Sequence, residues 1–231
     1  MLLALDTATA TASVAVYDRQ RRRLLSEITW QARRRHTQDL MPAVQQALAY
    51  AGAGVEQITA LAVTTGPGSF TGVRIGISAV KGLGLGMAQT PQTVGVPTLS
   101  VTAAPWLDAA AGGAAPAAVC AFVQAGRGRY NWAFFDPGDL LRRPGREEHG
   151  AGAAGEFCAA LAAFAPQPVW LAGEPDAALE QEVAVLDHVC LLDGVSALRR
   201  AGHLARLADR HLAAGNEDDL AGLQPLYLQN P

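Results

Sequence analysis

Asp6 and Thr7 are the first residues placed to do chemistry, because they follow a short apolar run, Leu2 to Leu5, at a turn. A carboxylate and free amides after a strand can face a metal-bound phosphate, although they serve equally to satisfy the turn itself. The second candidate is Gly66-Pro67-Gly68-Ser69-Phe70-Thr71-Gly72. It is not GxxxxGK[ST], since no Lys-Ser or Lys-Thr follows Gly72. It is GxGxxxG rather than GxGxxG, and Pro67 removes an amide that a phosphate could use. No acid lies between Glu56 and Asp108, so the ribose-binding carboxylate of a dinucleotide site is missing. Ser69 follows its glycine directly, which excludes a GxSxG nucleophile elbow. The remaining reading is a tight turn that seats a closely packed helix.

The other chemically capable residues are scattered. His36, His149, His188, His203 and His211 form no HxxxH or HExxH pair, and His203 and His211 stand more than two helical turns apart. His36 opens a helix, where a capping role is expected. Cys120, Cys158 and Cys190 are widely spaced inside apolar runs and read as reduced core thiols. Arginines cluster at 19–23 and 33–35. Without interleaved aromatics such runs read first as solvated turns, with RNA contact as the alternative. Lys81 is the only lysine among the 18 basic residues, and the formal charge of −3 gives the chain no global pull on nucleic acid or anionic lipid.

These residues are positioned by a regular order of elements. Strands are expected at Leu2–Leu5, 13–17 and 24–30, then a helix carrying Leu40, Val44, Ala47, Leu48 and Ala51 at helical spacing. Pro42 falls late for a first-turn proline. The strand Ile58 to Val63, the glycine turn and its helix come next, with Ser69 or Thr71 as N-cap. A strand at 93–96 and a helix from Leu99 to about Ala110 close the half. An Ala/Gly/Pro tract, 109–118, reads as a linker. The order then recurs: a hairpin of 119–123 and 130–135, a weak strand near Leu140, helix 156–164, strand 169–172, a short helix at 177–183, strand 189–192 and a long helix, 195–214. The apolar tail 225–228 is expected to dock back. Two β-β-β-α-β-α-β-α halves predict an α/β, duplicated actin-like (ASKHA, ribonuclease-H-like) fold, with lobes at 1–108 and 109–231.

The helix after the glycine turn is apolar or small around most of its circumference. Arg74, Ser78 and Lys81 form its only polar stripe. Gly76, Gly82, Gly84 and Gly86 cost it roughly 4 kcal/mol of propensity relative to alanine. Close packing on two sides is expected, against its own sheet and against either its own domain or a second protein. The equivalent turn of the second half, Gln124-Ala125-Gly126-Arg127-Gly128, lacks the second acid that a phosphoryl-transfer site of this fold requires.

The stretches LLALDTATATASVAV, HTQDLMP, GPGSFTGVRIGISAVKGLGLG and PLYLQN together resemble the bacterial TsaB family, the non-catalytic partner in synthesis of threonylcarbamoyladenosine on tRNA. The resemblance runs from residue 2 to about 100, with an anchor at the tail. It implies the duplicated actin-like fold, no catalytic residues, no cofactor and no metal. It also implies a heterodimer with a catalytic paralogue, TsaD, joined by an ATPase, TsaE, and a homodimer when the paralogue is absent. The first two helices would dock on the same helices of the paralogue, through Leu40, Val44 and Leu48 on one and Gly72, Ile75, Gly76, Ala79 and Leu83 on the other. Any contact with tRNA is expected to be indirect. The chain departs from the family pattern at Gln124-Ala125-Gly126 and at Gln229, which weakens a nucleotide role for the second lobe. The rival readings are a small-molecule kinase or ATPase using Asp6 and Thr7, and a protease, for which no nucleophile–base pair or zinc site is visible. The opening MLLALD has no basic leader and meets Asp6 too early for a signal peptide, so a cytoplasmic protein without membrane contact is expected.

Overall fold

A computed structural model describes residues 1–33, 35–111 and 116–228. Arg34 of the second arginine run, part of the expected linker and Gln229 lie outside these residues. The described elements are β1 (Leu2–Asp6), β2 (Thr11–Asp18), β3 (Arg23–Gln31), α1 (His36–Ala51), β4 (Ala60–Thr64), α2 (Phe70–Gly86), β5 (Gln92–Val96) and α3 (Thr98–Ala110). The second half gives β6 (Ala118–Gly126), β7 (Arg129–Phe135), β8 (Gly150–Ala153), α4 (Ala154–Ala162), β9 (Val169–Ala172), α5 (Ala177–Val183), β10 (Val189–Leu191) and α6 (Ala201–Ala213). Each half contributes one five-stranded sheet, ordered β3-β2-β1-β4-β5 and β8-β7-β6-β9-β10. In both, the first strand pairs antiparallel with the second and parallel with the fourth. This is the duplicated α/β architecture that the element order predicts.

The chain divides into two compact units, and the division differs from a single break near residue 108. One unit comprises Met1–Thr98 with Arg200–Leu226; the other comprises Leu99–Arg199 with Tyr227–Pro231. The reason is burial on both faces of the first sheet. β1, β2 and β4 are wholly buried, as their near-continuous apolar runs require. Leu3, Leu5, Val14, Val16, Leu61 and Val63 point to one face and pack with Leu40, Val44, Val73, Ile77 and Val80 of α1 and α2. Leu2, Ala4 and Ala15 alternate to the other face, and α6 packs across these strands with Leu204, Ala205, Leu207 and Ala208 buried. The chain after α6 stays with this unit as far as Leu226: Leu226 N–H donates to Thr65 O at 2.7 Å, and Lys81 Nζ donates to Ala221 O at 2.7 Å.

In the other unit the core is aromatic. Trp132 stacks on Phe157 at 4.7 Å between ring centroids, with Phe122 and Tyr130 beside them. The third strand is β8, not a segment near Leu140. Its sequence GAGA carries no strand signal, but a Cβ at Gly150 would stand 2.1 Å from the Trp132 ring, so glycine lets the indole lie across the neighbouring strand. α6 begins six residues later than the periodicity predicts. Asp193 Oδ1 accepts from the amides of Val195 and Ser196, which makes a turn of that segment. Among the described residues no helix is long and apolar enough to cross a membrane.

Candidate docking face on the first two helices

The N-terminus of α2 is locked to the β1–β2 turn of its own unit. Ser69 is the N-cap, accepting from Gly72 N–H at 3.1 Å, and its own N–H donates to Ala8 O at 2.6 Å. Thr7 Oγ1 donates to Gly72 O at 2.7 Å. A Cβ at Gly72 would stand 2.1 Å from Thr7 O, and one at Gly76 would stand 2.6 Å from Thr7 Oγ1. Gly84 is equally constrained, its Cβ position lying 2.5 Å from Leu220. Only Gly82 and Gly86 open outward, with nothing within 4 Å of the added carbon.

The same turn settles the two polar candidates. Asp6 is 1% exposed, and its Oδ1 accepts from Ala8 N–H at 3.0 Å and from the Thr64 hydroxyl at 2.9 Å. Thr7 is fully buried against α2. Of the two residues expected to hold a cofactor, both side chains join β1 to its neighbours within one unit.

The outward side of α1 and α2 is different in character. Two grooves adjoin there and share Met41 and Ala79. One, of about 490 Å³, lies between Met41, Phe70, Arg74, Ile75 and Ala79. The other, of about 870 Å³, runs along Val55, Ala79, Gly82, Leu83 and Met87. Phe70 and Leu85 are exposed, Leu85 by 83%, and Met41 and Val55 are uncovered too. The Arg74 guanidinium stacks over the Phe70 ring at 3.7 Å. An apolar trough of this length is what a partner helix would cover.

The comparisons with known proteins agree with one another. The family model described as TsaD, tRNA N6-adenosine threonylcarbamoyltransferase, matches residues 25–140, half of the chain. A tRNA threonylcarbamoyladenosine biosynthesis protein TsaB of Escherichia coli is 45% identical over 102 residues, covering 44% of this chain and 42% of that protein. The TsaB of Haemophilus influenzae is 45% identical over 85 residues, 37% of this chain and 35% of that one. The chain belongs to this TsaD/TsaB family. Its matched region spans less than half the length of either curated TsaB relative. The whole fold is similar to a crystal structure of a Pseudomonas aeruginosa protein described as similar to peptidase YEAZ, with a TM-score of 0.74 at 26% identity and 99% of each chain covered.

In this TsaB-family chain the residues expected at a partner interface fall into two sets. Ile75, Ala79, Leu83 and Leu48 are half-buried, and the first three line the trough. Leu40, Val44, Gly72 and Gly76 are buried within the chain, and of these four only Leu40 reaches the lining of the trough. The two leucine-row residues fill the core under α1, and the two glycines admit Thr7 rather than a foreign backbone. Sequence reasoning missed Met41, Phe70, Gly82 and Leu85; helical phase relative to Val73, Ile77 and Val80 was the signal that could have found them.

The remaining candidates are dispersed. His36 Nε2 donates to Thr9 O at 2.8 Å, which ties α1 to the β1–β2 turn rather than capping the helix. His211 is buried, 1% exposed. Cys120 is buried, and burial raises its thiol pKa, but Cys190 is exposed on the edge strand β10, contrary to a core role. Among the described residues no group of three or more His, Cys, Asp or Glu could hold a metal ion. At the second hairpin, Gln124 donates to Glu174 O at 3.1 Å and Arg127-Gly128 forms the turn with both φ positive.

Proposed function

We propose that the chain is a TsaB-type subunit of tRNA threonylcarbamoyladenosine biosynthesis, acting in the cytoplasm. It binds and stabilises a TsaD-type catalytic partner and contributes no catalytic residue itself. The observation that carries this reading is the uncovered apolar trough along α1 and α2, in a chain similar to TsaB proteins whose match to the TsaD family model, residues 25–140, spans that segment. A TsaE-type ATPase joins the pair, and the same trough pairs two copies when the partner is absent. The kinase reading has less support, because Asp6 and Thr7 are already bonded within their sheet.

Gly82 provides a clean test, since its outward face is open and an added side chain meets nothing. Gly82→Arg places a long cation in the trough without touching the core. Native mass measurement of the chain mixed with its TsaD-type partner should show a heterodimer for the parent and for Gly82→Ala, and separate monomers for Gly82→Arg and Ala79→Arg. Survival of the complex in both arginine variants, at unchanged melting temperature, rules out this face.

A further inference from the structure

The turn after β2 and the C-terminal half of α6 lie far apart in sequence, yet one side chain clasps them. Arg19 Nε donates to Asp209 at 2.9 Å, and its NH1 donates to the Gln92 side chain at 2.7 Å. The segments joined here, 18–23 and 206–210, carry six guanidiniums: Arg19, Arg21, Arg22, Arg23, Arg206 and Arg210. Against them stand two carboxylates, Asp18 and Asp209, in a chain whose formal charge is −3. Asp18 is engaged by Arg21 at 2.8 Å and Asp209 by Arg19. Glu217, a third acid, adjoins the clasp by accepting from Gln92 Nε2 at 3.1 Å, so six guanidiniums stand against three carboxylates and the surplus positive charge is local.

The turn is ordered, not a loose basic loop. Asp18 Oδ1 accepts from Gln20 N–H at 2.9 Å and Arg21 N–H at 3.0 Å, and Arg22 takes the left-handed conformation at φ 49°. Arg21, Arg22 and Arg23 are exposed, and Arg206 and Arg210 are half-buried. Burial and then the Asp209 carboxylate raise the pKa of the Tyr17 hydroxyl, and Arg22 of the turn and Arg206 and Arg210 of the helix act on it in the opposite direction.

We infer that this patch binds the phosphate backbone of a folded RNA. Guanidinium forks match phosphate oxygens in pairs, and clustered arginines exchange condensed counterions for protein contacts. No exposed aromatic ring accompanies them in these segments, so the contact reads backbone and not base. An anionic membrane fits less well, because the patch is a hairpin turn beside a helix whose apolar face is already buried in the protein. The choice of RNA among polyanions rests on the function proposed above; the patch itself does not.

Fluorescence anisotropy with a labelled unmodified tRNA transcript, between 50 and 200 mM salt, tests it. The full chain is measured alone and mixed with its TsaD-type partner. Binding should weaken with salt, and Arg22→Glu with Arg23→Glu should lower affinity at least tenfold and flatten the log–log salt slope by about 1.4. Arg206→Glu with Arg210→Glu should do the same, and Arg22→Lys with Arg23→Lys should keep the parent slope. The side chains of the turn pair are exposed, so that variant reports even if the α6 pair fails to fold. Equal affinity and slope for a folded charge reversal overturns the inference. So does binding to phosphatidylserine vesicles with none to tRNA. Partner capture is measured in parallel: absent RNA binding with intact capture removes only the patch, and the converse removes only the scaffold reading.

Discussion

Three glycines of α2 are set by single atoms across from them. An added methyl at Gly72 meets a backbone carbonyl, Thr7 O, which cannot rotate away. Gly72→Ala should cost about 1–3 kcal/mol of stability by overpacking. Gly82→Ala, further along the same helix with open space around it, should gain about 0.5–1 kcal/mol from propensity. Urea melts of the two variants check both signs; a stabilised Gly72→Ala would contradict the seating of α2 on Thr7. In the other unit, Asp176 caps α5 by accepting from Leu179 N–H at 3.0 Å and also accepts from the buried Tyr130 hydroxyl at 2.7 Å. The amide bond and then the hydroxyl hold the Asp176 pKa below its ordinary value, while burial and the carboxylate raise that of Tyr130. A depressed folded pKa stabilises above the unfolded value of about 4 and is lost as pH falls through the folded one. Thermal melts from pH 6 to 2 should therefore fall more steeply for the parent than for Asp176→Asn, which should be the less stable of the two at pH 6. Identical slopes would mean that the cap contributes no pH dependence.

At the scale of elements, most of the order was legible because periodicity and turn residues agree with burial. Ser69, one of the two residues that read as the N-cap, is the one that caps; β1, β2 and β4 read as strands, and the structure buries them throughout. What could not be read is which neighbour a small residue admits. Gly72, Gly76, Gly82 and Gly86 look alike in sequence, yet two face Thr7 and two face outward. β8 was invisible because its partner Trp132 supplies the bulk that a strand normally carries itself. α6 was drawn too long because Ala197 and Leu198 continue the apolar spacing through a turn made by Asp193. The docking trough inherits this ambiguity. Leu85→Asp, on an 83% exposed side chain, should leave the melting temperature within about 1 °C. It should still weaken partner capture, measured by titration, if the trough continues to the end of α2; undiminished capture confines docking to the Met41 end.

For the whole molecule, the decisive feature is that the first sheet is finished by residues 200–226. A chain ending at Arg199 retains all ten strands but leaves one face of β1, β2 and β4 bare. It should be insoluble or bind hydrophobic dyes strongly, whereas residues 99–199 alone should melt cooperatively. A soluble, cooperatively melting 1–199 chain would show that α6 is dispensable. The charge asymmetry is likewise a property of the whole: an acidic chain gathers six arginines where the β2–β3 turn meets α6.

That late helix also dictates an order of events on the ribosome. The strands translated first have no cover for one surface until residues 200–226 have been made, whereas the segment Leu99–Arg199 between them is synthesised before that cover exists. Nascent-chain proteolysis should find protection arriving in the reverse of the order of synthesis, with the middle sheltered before the beginning.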